Sequence, residues 1–323
     1  MRAALIGAGK IAETGHLPGY AHAGVEIAAL CDRNPAGLSR LGDRFAVERR
    51  YVDWRAMIAD GGFDVVSICT PPAMHCEMTT TCLAHGYHVL VEKPMAVTLA
   101  ECDEMIAAAE SSNRMLMVAH NQRFRLQHVA ARQVLDSGRL GRPRRVHAVF
   151  AHGGPERWTP SGAWYFDRAT SGHGVLIDLG YHKIDLLRWL LGQEITEIHS
   201  LGATFEKPTS LDDTAAVVMR FDGGVIGTLQ ASWAHHPDVV DSVTVDCERG
   251  SLFVPSNPSE PLQIVDPDGT RSAVSCGKDD PGWSAGVRAF VEAIRSHQPS
   301  PVAGKEGRAT LAAVLRAYGA DAF

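Results

Sequence analysis

Short apolar runs alternate with longer stretches of helical period through the first third of the chain. The runs Ala3–Ile6, Val25–Cys31, Val65–Cys69, His88–Val91 and Met115–Val118 predict strands buried on both faces of a parallel sheet. Amphipathic patterns near Ile11–His22, Pro35–Phe45, Trp54–Ala59, Met74–His85 and Leu99–Ser111 fill the intervals. The last opens with Thr98-Leu99-Ala100-Glu101, a capping box whose side chains satisfy the amides of a first helical turn. Such alternation predicts an α/β, doubly wound Rossmann sheet with right-handed crossovers.

The pattern changes after about residue 122. A helix is expected over Leu126–Ser137, ended by Gly138, and a strand over Arg145–Ala151. The helix Leu176–Leu191 stops at Gly192, a natural C-terminal cap. The runs Thr196–Phe205, Thr214–Phe221, Val225–Ser232 and Val239–Cys247 then read as strands, with Asp222-Gly223-Gly224 as a hairpin turn between two of them. An open, mostly antiparallel sheet is expected here, and the tail from Trp283 turns helical again. A length of 323 residues accommodates two cores, divided as 1–122 and 123–323.

Composition narrows the function classes. A net charge of −6 gives no reason to expect nucleic acid or an anionic membrane as partner. Met1–Ile6 runs into glycines before a signal-peptide core could form, and no apolar run has the length of a membrane span. The seven scattered cysteines, without a Cys-x-x-Cys pair, suit a reducing cytoplasm. Fifteen histidines make no zinc-type spacing, so no metal site is expected. A soluble cytoplasmic protein follows.

The first chemical signal is Gly7-Ala8-Gly9-Lys10-Ile11-Ala12, after a strand and opening a helix. Gly7 permits a tight turn, Gly9 lets the backbone approach a pyrophosphate, and Ala12 is small enough for close helix–strand packing. Unpaired amides at the helix start favour phosphate. Asp32, at the end of the second strand, stands where a carboxylate binds ribose hydroxyls and repels a 2′-phosphate, which favours NAD. Arg33 keeps NADP open, because a guanidinium can pair with that phosphate.

Downstream, Glu92-Lys93-Pro94 ends a strand at the carboxyl edge, where doubly wound folds place ligands. The proline restricts the backbone of Lys93 and helps aim it. Asp178, His182 and Asp185 recur at helical spacing on one face of an otherwise apolar helix. An imidazole, with an unperturbed pKa of about 6.5, suits a general base at neutral pH.

Together with the glycine loop, Thr70-Pro71-Pro72 with His75, then Glu92-Lys93-Pro94, and Gly172-x-Gly174-x₃-Asp178-x₃-His182-x₂-Asp185 resemble the glucose–fructose oxidoreductase/inositol dehydrogenase/MocA family across nearly the whole chain. The resemblance implies hydride transfer between NAD(P) and a secondary alcohol or ketone of a sugar, polyol or cyclitol. It implies Lys93, Asp178 and His182 as the catalytic set, with Asp185 in a supporting role. Cofactor contacts are implied at Gly7, Gly9, Lys10, Ile11, Asp32, Arg33, Thr70, Pro71, Pro72, His75, Glu92, Lys93 and Asn121. Substrate contacts are implied at Lys93, Arg123, Asp178 and His182; Trp164, and Tyr165 beside it, are candidates to line the pocket because sugars stack on aromatic faces, with a place in the core as the alternative for Trp164. The second sheet makes dimers or tetramers in many relatives, so a homodimer or homotetramer is expected. His173 stands where many relatives carry glycine and alters the local substrate shape. Two other functions fit the same motifs: a glycosidase using NAD for transient oxidation, and a non-catalytic NAD(P) or sugar sensor. Retention of Lys93, Asp178 and His182 argues against the sensor.

Overall fold

The computed structural model describes residues 1–157, 163–277 and 281–319. Strands β1 (Arg2–Ile6), β2 (Glu26–Cys31), β3 (Arg50–Tyr51), β4 (Val65–Ile68), β5 (His88–Val91) and β6 (Leu116–Val118) form one sheet. Their order is β3-β2-β1-β4-β5-β6 and their pairings are parallel. β1 and β4 are apolar because both their faces are covered; Ala3, Leu5, Val65 and Ile68 have no exposed surface. The strand order reverses at the β1/β4 pair, the point where doubly wound sheets open a ligand crevice.

Helices α1 (Leu17–His22), α2 (Pro35–Arg44), α3 (Trp54–Asp60), α4 (His75–Ala84) and α5 (Leu99–Ser112) make the crossovers. Their starts are set by local side chains. Asn34 accepts the Ala36 amide at 3.1 Å, Asp53 the Arg55 amide at 2.9 Å, and Thr98 with Glu101 closes the expected capping box. The helix expected over Ile11–His22 is not uniformly α. A π turn, Ala12–His16, precedes α1, adding a residue per turn just after the glycine loop.

The second sheet holds eight strands: β7 (Pro143–Ala151), β8 (Ile195–Ala203), β9 (Thr214–Phe221), β10 (Ile226–Ser232), β11 (Val240–Cys247), β12 (Gly250–Val254), β13 (Leu262–Val265) and β14 (Arg271–Val274). The order is β14-β13-β12-β11-β7-β10-β9-β8; β7 and β10 are parallel neighbours and the remaining pairings are antiparallel. Burial alternates along β9, with Ala215, Val217, Met219 and Phe221 inward, as one covered face requires. Helices α6 (Leu126–Asp136) and α8 (Tyr181–Leu191) pack on that sheet and on each other, with the single-turn α7 (Arg168–Ser171) between them in the chain. Gly192 ends α8 in the left-handed conformation, and Gly224, at φ 83°, makes the β9–β10 turn. A second π turn, Leu176–Gly180, begins the helix expected as one element over Leu176–Leu191.

By packing, the chain forms two compact units: Met1–Asn121 with Trp283–Ala309, and Gln122–Gly282 with Thr310–Phe323. The second is thus not one continuous stretch from residue 123. Helix α9 (Trp283–Arg295) belongs to the first unit because Gly15 and Gly19 leave room for it. A Cβ on either would come within 2.8 Å of Trp283 or 2.6 Å of Val287. The division falls inside α10 (Gly304–Ala317).

Candidate active site

In the first unit, β1 delivers the chain into the glycine loop. Gly7 has φ 102°, and a Cβ there would lie 2.5 Å from the Cys69 carbonyl oxygen, so the turn needs glycine for conformation and for space. Gly9 is different. A Cβ there would meet nothing within 4 Å, so the bare chain places no demand on it. A glycine facing open space at the start of a helix fits a site kept clear for an approaching pyrophosphate. Lys10 is exposed and Ile11 half-buried at the same rim, and Ala12 is fully buried, as close packing requires. Gly9→Ala is therefore expected to fold like the parent while weakening NADH binding on the order of tenfold, about 1.4 kcal/mol, in a fluorescence titration. Gly7→Ala is expected to lose more than about 1 kcal/mol of stability, read by thermal melting.

Asp32, where a ribose contact is expected, is engaged with the backbone. Its Oδ2 accepts the Ala8 amide at 2.6 Å and its Oδ1 the Asn34 amide at 2.7 Å, clamping the glycine loop to the start of α2. Each oxygen retains a second lone pair for a ribose hydroxyl. Arg33 is exposed beside it. Thr70 and Pro71 are half-buried after β4, while Pro72 is buried.

Two of the expected cofactor residues direct their polar atoms into the protein. His75 has no exposed surface; its ring nitrogens lie 2.8 Å from the Thr70 carbonyl oxygen and 2.9 Å from that of Pro94. Burial pushes its pKa down. Glu92 is buried, and its Oε2 accepts the Lys93 amide at 3.0 Å. Both brace the loops around Lys93 from behind. Lys93 and Asn121 are half-buried.

In the second unit, the π turn and α8 carry the polar stripe. Asp178 is 9% exposed, and its Oδ2 accepts the indole N–H of Trp233 at 3.1 Å. That donor fixes the carboxylate and needs no charge of its own. His182 is half-buried, with its ring centroid 5.7 Å from that of Phe150 on β7. Asp185 is held elsewhere. It takes Arg123 Nε at 2.8 Å and Nη2 at 2.6 Å, a bidentate pair buried on both sides, and the Thr310 hydroxyl lies 3.3 Å from Oδ1. The guanidinium of Arg123, expected at the substrate, is thus engaged in the core, because a carboxylate 62 residues away meets it there.

Beside this pair lies a second buried cluster that the sequence did not bring to notice. Asp241 on β11 accepts from Lys183, from Arg125 Nη1 at 2.6 Å, and from Gln122. His128 packs there too. Burial, then the positive charges of Lys183 and Arg125, pushes its pKa down to about 3, so it is neutral.

Trp164 and Tyr165 stack on each other, centroids 3.7 Å apart. His173 stacks on Tyr318 at 4.7 Å, and the two line a cleft of about 180 Å³ with Arg168, Ser210 and Asp212. The Tyr318 hydroxyl accepts the Leu176 amide and donates to Asp212, both at 3.1 Å, which caps the π turn. Trp233, Asp241, Asp212 and Tyr318 all support the helix from far along the chain. The Asp212-Asp213 pair ahead of a strand is the one local signal among them. Among the described residues, no group of three or more His, Cys, Asp or Glu is arranged to hold a metal, and no helix is long and apolar enough to cross a membrane.

A parallel sheet with this order, a glycine loop at its switch point and a buried carboxylate–imidazole helix define an oxidoreductase with an NAD-binding Rossmann domain. Residues 1–120 match the model of the oxidoreductase family with NAD-binding Rossmann fold, and residues 128–253 that of the GFO/IDH/MocA C-terminal domain. The chain belongs to the Gfo/Idh/MocA family. It is 31% identical to the D-apiose dehydrogenase of Rhizobium rhizogenes, over 83% of this chain and 77% of that protein. It is 24% identical to the myo-inositol 2-dehydrogenase of Thermotoga maritima, over 88% and 85%. An oxidoreductase from Agrobacterium radiobacter, solved in complex with NAD+, L-tartaric acid and magnesium, superposes with a TM-score of 0.86 at 26% identity, covering 99% of this chain and 96% of that one.

Proposed function

We propose that the chain catalyses reversible hydride transfer between NAD and a secondary carbinol carbon of a sugar, polyol or cyclitol. The observation that carries this is a single helical turn: a buried carboxylate, Asp178, fixed by the Trp233 indole, with the His182 imidazole four residues on. Bound, the nicotinamide supplies the acceptor or donor of the hydride. In the oxidative direction His182 takes the hydroxyl proton, and Asp178 orients the hydroxyl-bearing carbon. Lys93 stabilises negative charge growing on oxygen, an interaction of about 4 kcal/mol at about 4 Å in an effective dielectric near 20. The carboxylate of Asp32 supports NAD over NADP. Relatives named for apiose and inositol support a polyhydroxylated substrate.

The test is a panel of cyclitols, aldoses, alditols and glycosides with NAD+ and with NADP+, followed by nicotinamide absorbance and, in parallel, by sugar release. Reduction of NAD+ by a member of the panel is expected. Glycoside hydrolysis without net NADH would replace the dehydrogenase with the glycosidase.

We also assign the outer face of the eight-stranded sheet to self-association. Leu201 (83% exposed), Val218 (54%) and Ile226 (39%) lie outward on adjacent strands β8, β9 and β10. Sedimentation is expected to give a dimer or tetramer, and Val218→Glu to shift it toward monomer. A parent that stays monomeric at micromolar concentration removes this assignment.

A further inference from the structure

After β5 the chain turns through Glu92 and Lys93, and the carboxylate of the first holds the backbone of the second. Glu92 Oε2 accepts the Lys93 amide at 3.0 Å, and Oε1 lies 3.0 Å from Nε2 of His16. A carboxylate oxygen accepts, so His16 donates through Nε2. His16 ends the π turn behind the glycine loop and is 2% exposed. Its Nδ1 lies 2.9 Å from Ser67 Oγ on β4, and that hydroxyl lies 2.8 Å from Tyr20 Oη on α1. Ser67 and Tyr20 have no exposed surface. A hydrogen-bonded string buried this deeply is costly to leave incomplete, so each member fixes the next. It runs Tyr20, Ser67, His16, Glu92, and ends on the amide of Lys93. From the other side His75 holds the Pro94 carbonyl oxygen at 2.9 Å.

We propose that His16 is a positioning residue: through Glu92 it fixes the backbone of Lys93, and with it the point from which the ammonium group reaches the reacting oxygen. This rests on the role given to Lys93 above. His16 acts through Glu92, not by contact with the reacting atoms.

The groups facing the imidazole are Tyr20 from α1, Ser67 from β4, Cys69 just after it, and Glu92. From α9, Trp283 and Val287 press on Gly15 and Gly19 and bring no charge. Burial pushes the imidazole pKa down, but the charge and hydrogen bonds of Cys69 and Glu92 outweigh it and raise the pKa to about 10. The Nε2–H that Glu92 accepts is present in the neutral as well as the charged ring, so the positioning contact persists through neutral pH.

The experiment compares His16→Leu, His16→Gln, Glu92→Gln and the double variant His16→Leu/Glu92→Gln. Each is followed by steady-state kinetics with the best polyol of the panel, NADH fluorescence titration and thermal melting. In His16→Leu, kcat is expected to fall on the order of 10²-fold, as a displacement of about 1 Å at the reacting centre does. KM and NADH affinity are expected to stay within about twofold, since binding of the ground state is untouched. Glutamine at 16 keeps a donor and is expected to restore most of kcat. The double variant is expected to be no worse than the poorer single variant, because both changes break one path. A folded His16→Leu enzyme with kcat within about twofold of the parent overturns the proposal, as do fully additive losses in the double variant. If leucine at 16 prevents folding, the pair His16→Ala and His16→Ala/Glu92→Gln carries the same additivity comparison. A parent inactive on every polyol with either dinucleotide sinks the dehydrogenase reading itself, whereas an active parent with indifferent variants sinks the positioning role alone.

Discussion

Replacing His182 with alanine is expected to lower kcat by about 10²–10⁴-fold while NADH affinity holds. The imidazole sits in the second unit, on α8, whereas the glycine loop and the Asp32 clamp proposed to hold the dinucleotide lie in the first. The proposed roles differ, one in chemistry and one in binding, so binding and turnover are expected to separate. Asp178→Asn should have a milder effect, because an amide oxygen still accepts the Trp233 N–H and keeps the side chain oriented. Pre-steady-state hydride transfer, measured beside NADH titration, checks both. Unchanged turnover in a folded His182→Ala protein removes the imidazole from the chemistry.

The second large effect is on stability. Arg123→Ala is expected to cost about 3–5 kcal/mol, because it takes the bidentate partner from Asp185, a carboxylate that is 1% exposed. For a chain of this size that lowers Tm by roughly 10 °C. The double variant Arg123→Met/Asp185→Leu should recover much of the loss, since an apolar pair removes the buried charge altogether. Calorimetry decides between this and a substrate role. If Arg123 chiefly bound substrate, KM would rise and Tm would stay.

The contrast between those two residues shows how far the sequence reaches. The family resemblance implies both as substrate contacts. His182 keeps a half-buried position; Arg123 is drawn into the core by Asp185. Spacing placed Asp178, His182 and Asp185 on one helix but did not separate their roles, because what each touches is set by residues far along the chain. Asp241 meets Arg125 across 116 positions, and Tyr318 reaches Leu176 across 142. The two-residue strand β3 is too short to show a period, and β12 to β14 lie among prolines and glycines that interrupt one. The two π turns were missed because one added residue per turn barely disturbs a helical pattern.

Local chemistry was written into the chain. Alternating apolar runs require a parallel sheet buried on both faces, Thr98 with Glu101 starts a helix wherever it is placed, and a glycine at 7 is required by a turn that no other residue makes without strain. Those features depend on neighbours within a few residues, and so they are legible without coordinates. Packing alone decided which side chains face inward. It turned Glu92 and His75 behind Lys93, paired Arg123 with Asp185, and assigned α9 to the first unit. A buried ion or imidazole settles where its partner lies, and partners that approach only on folding leave no periodic trace in the sequence.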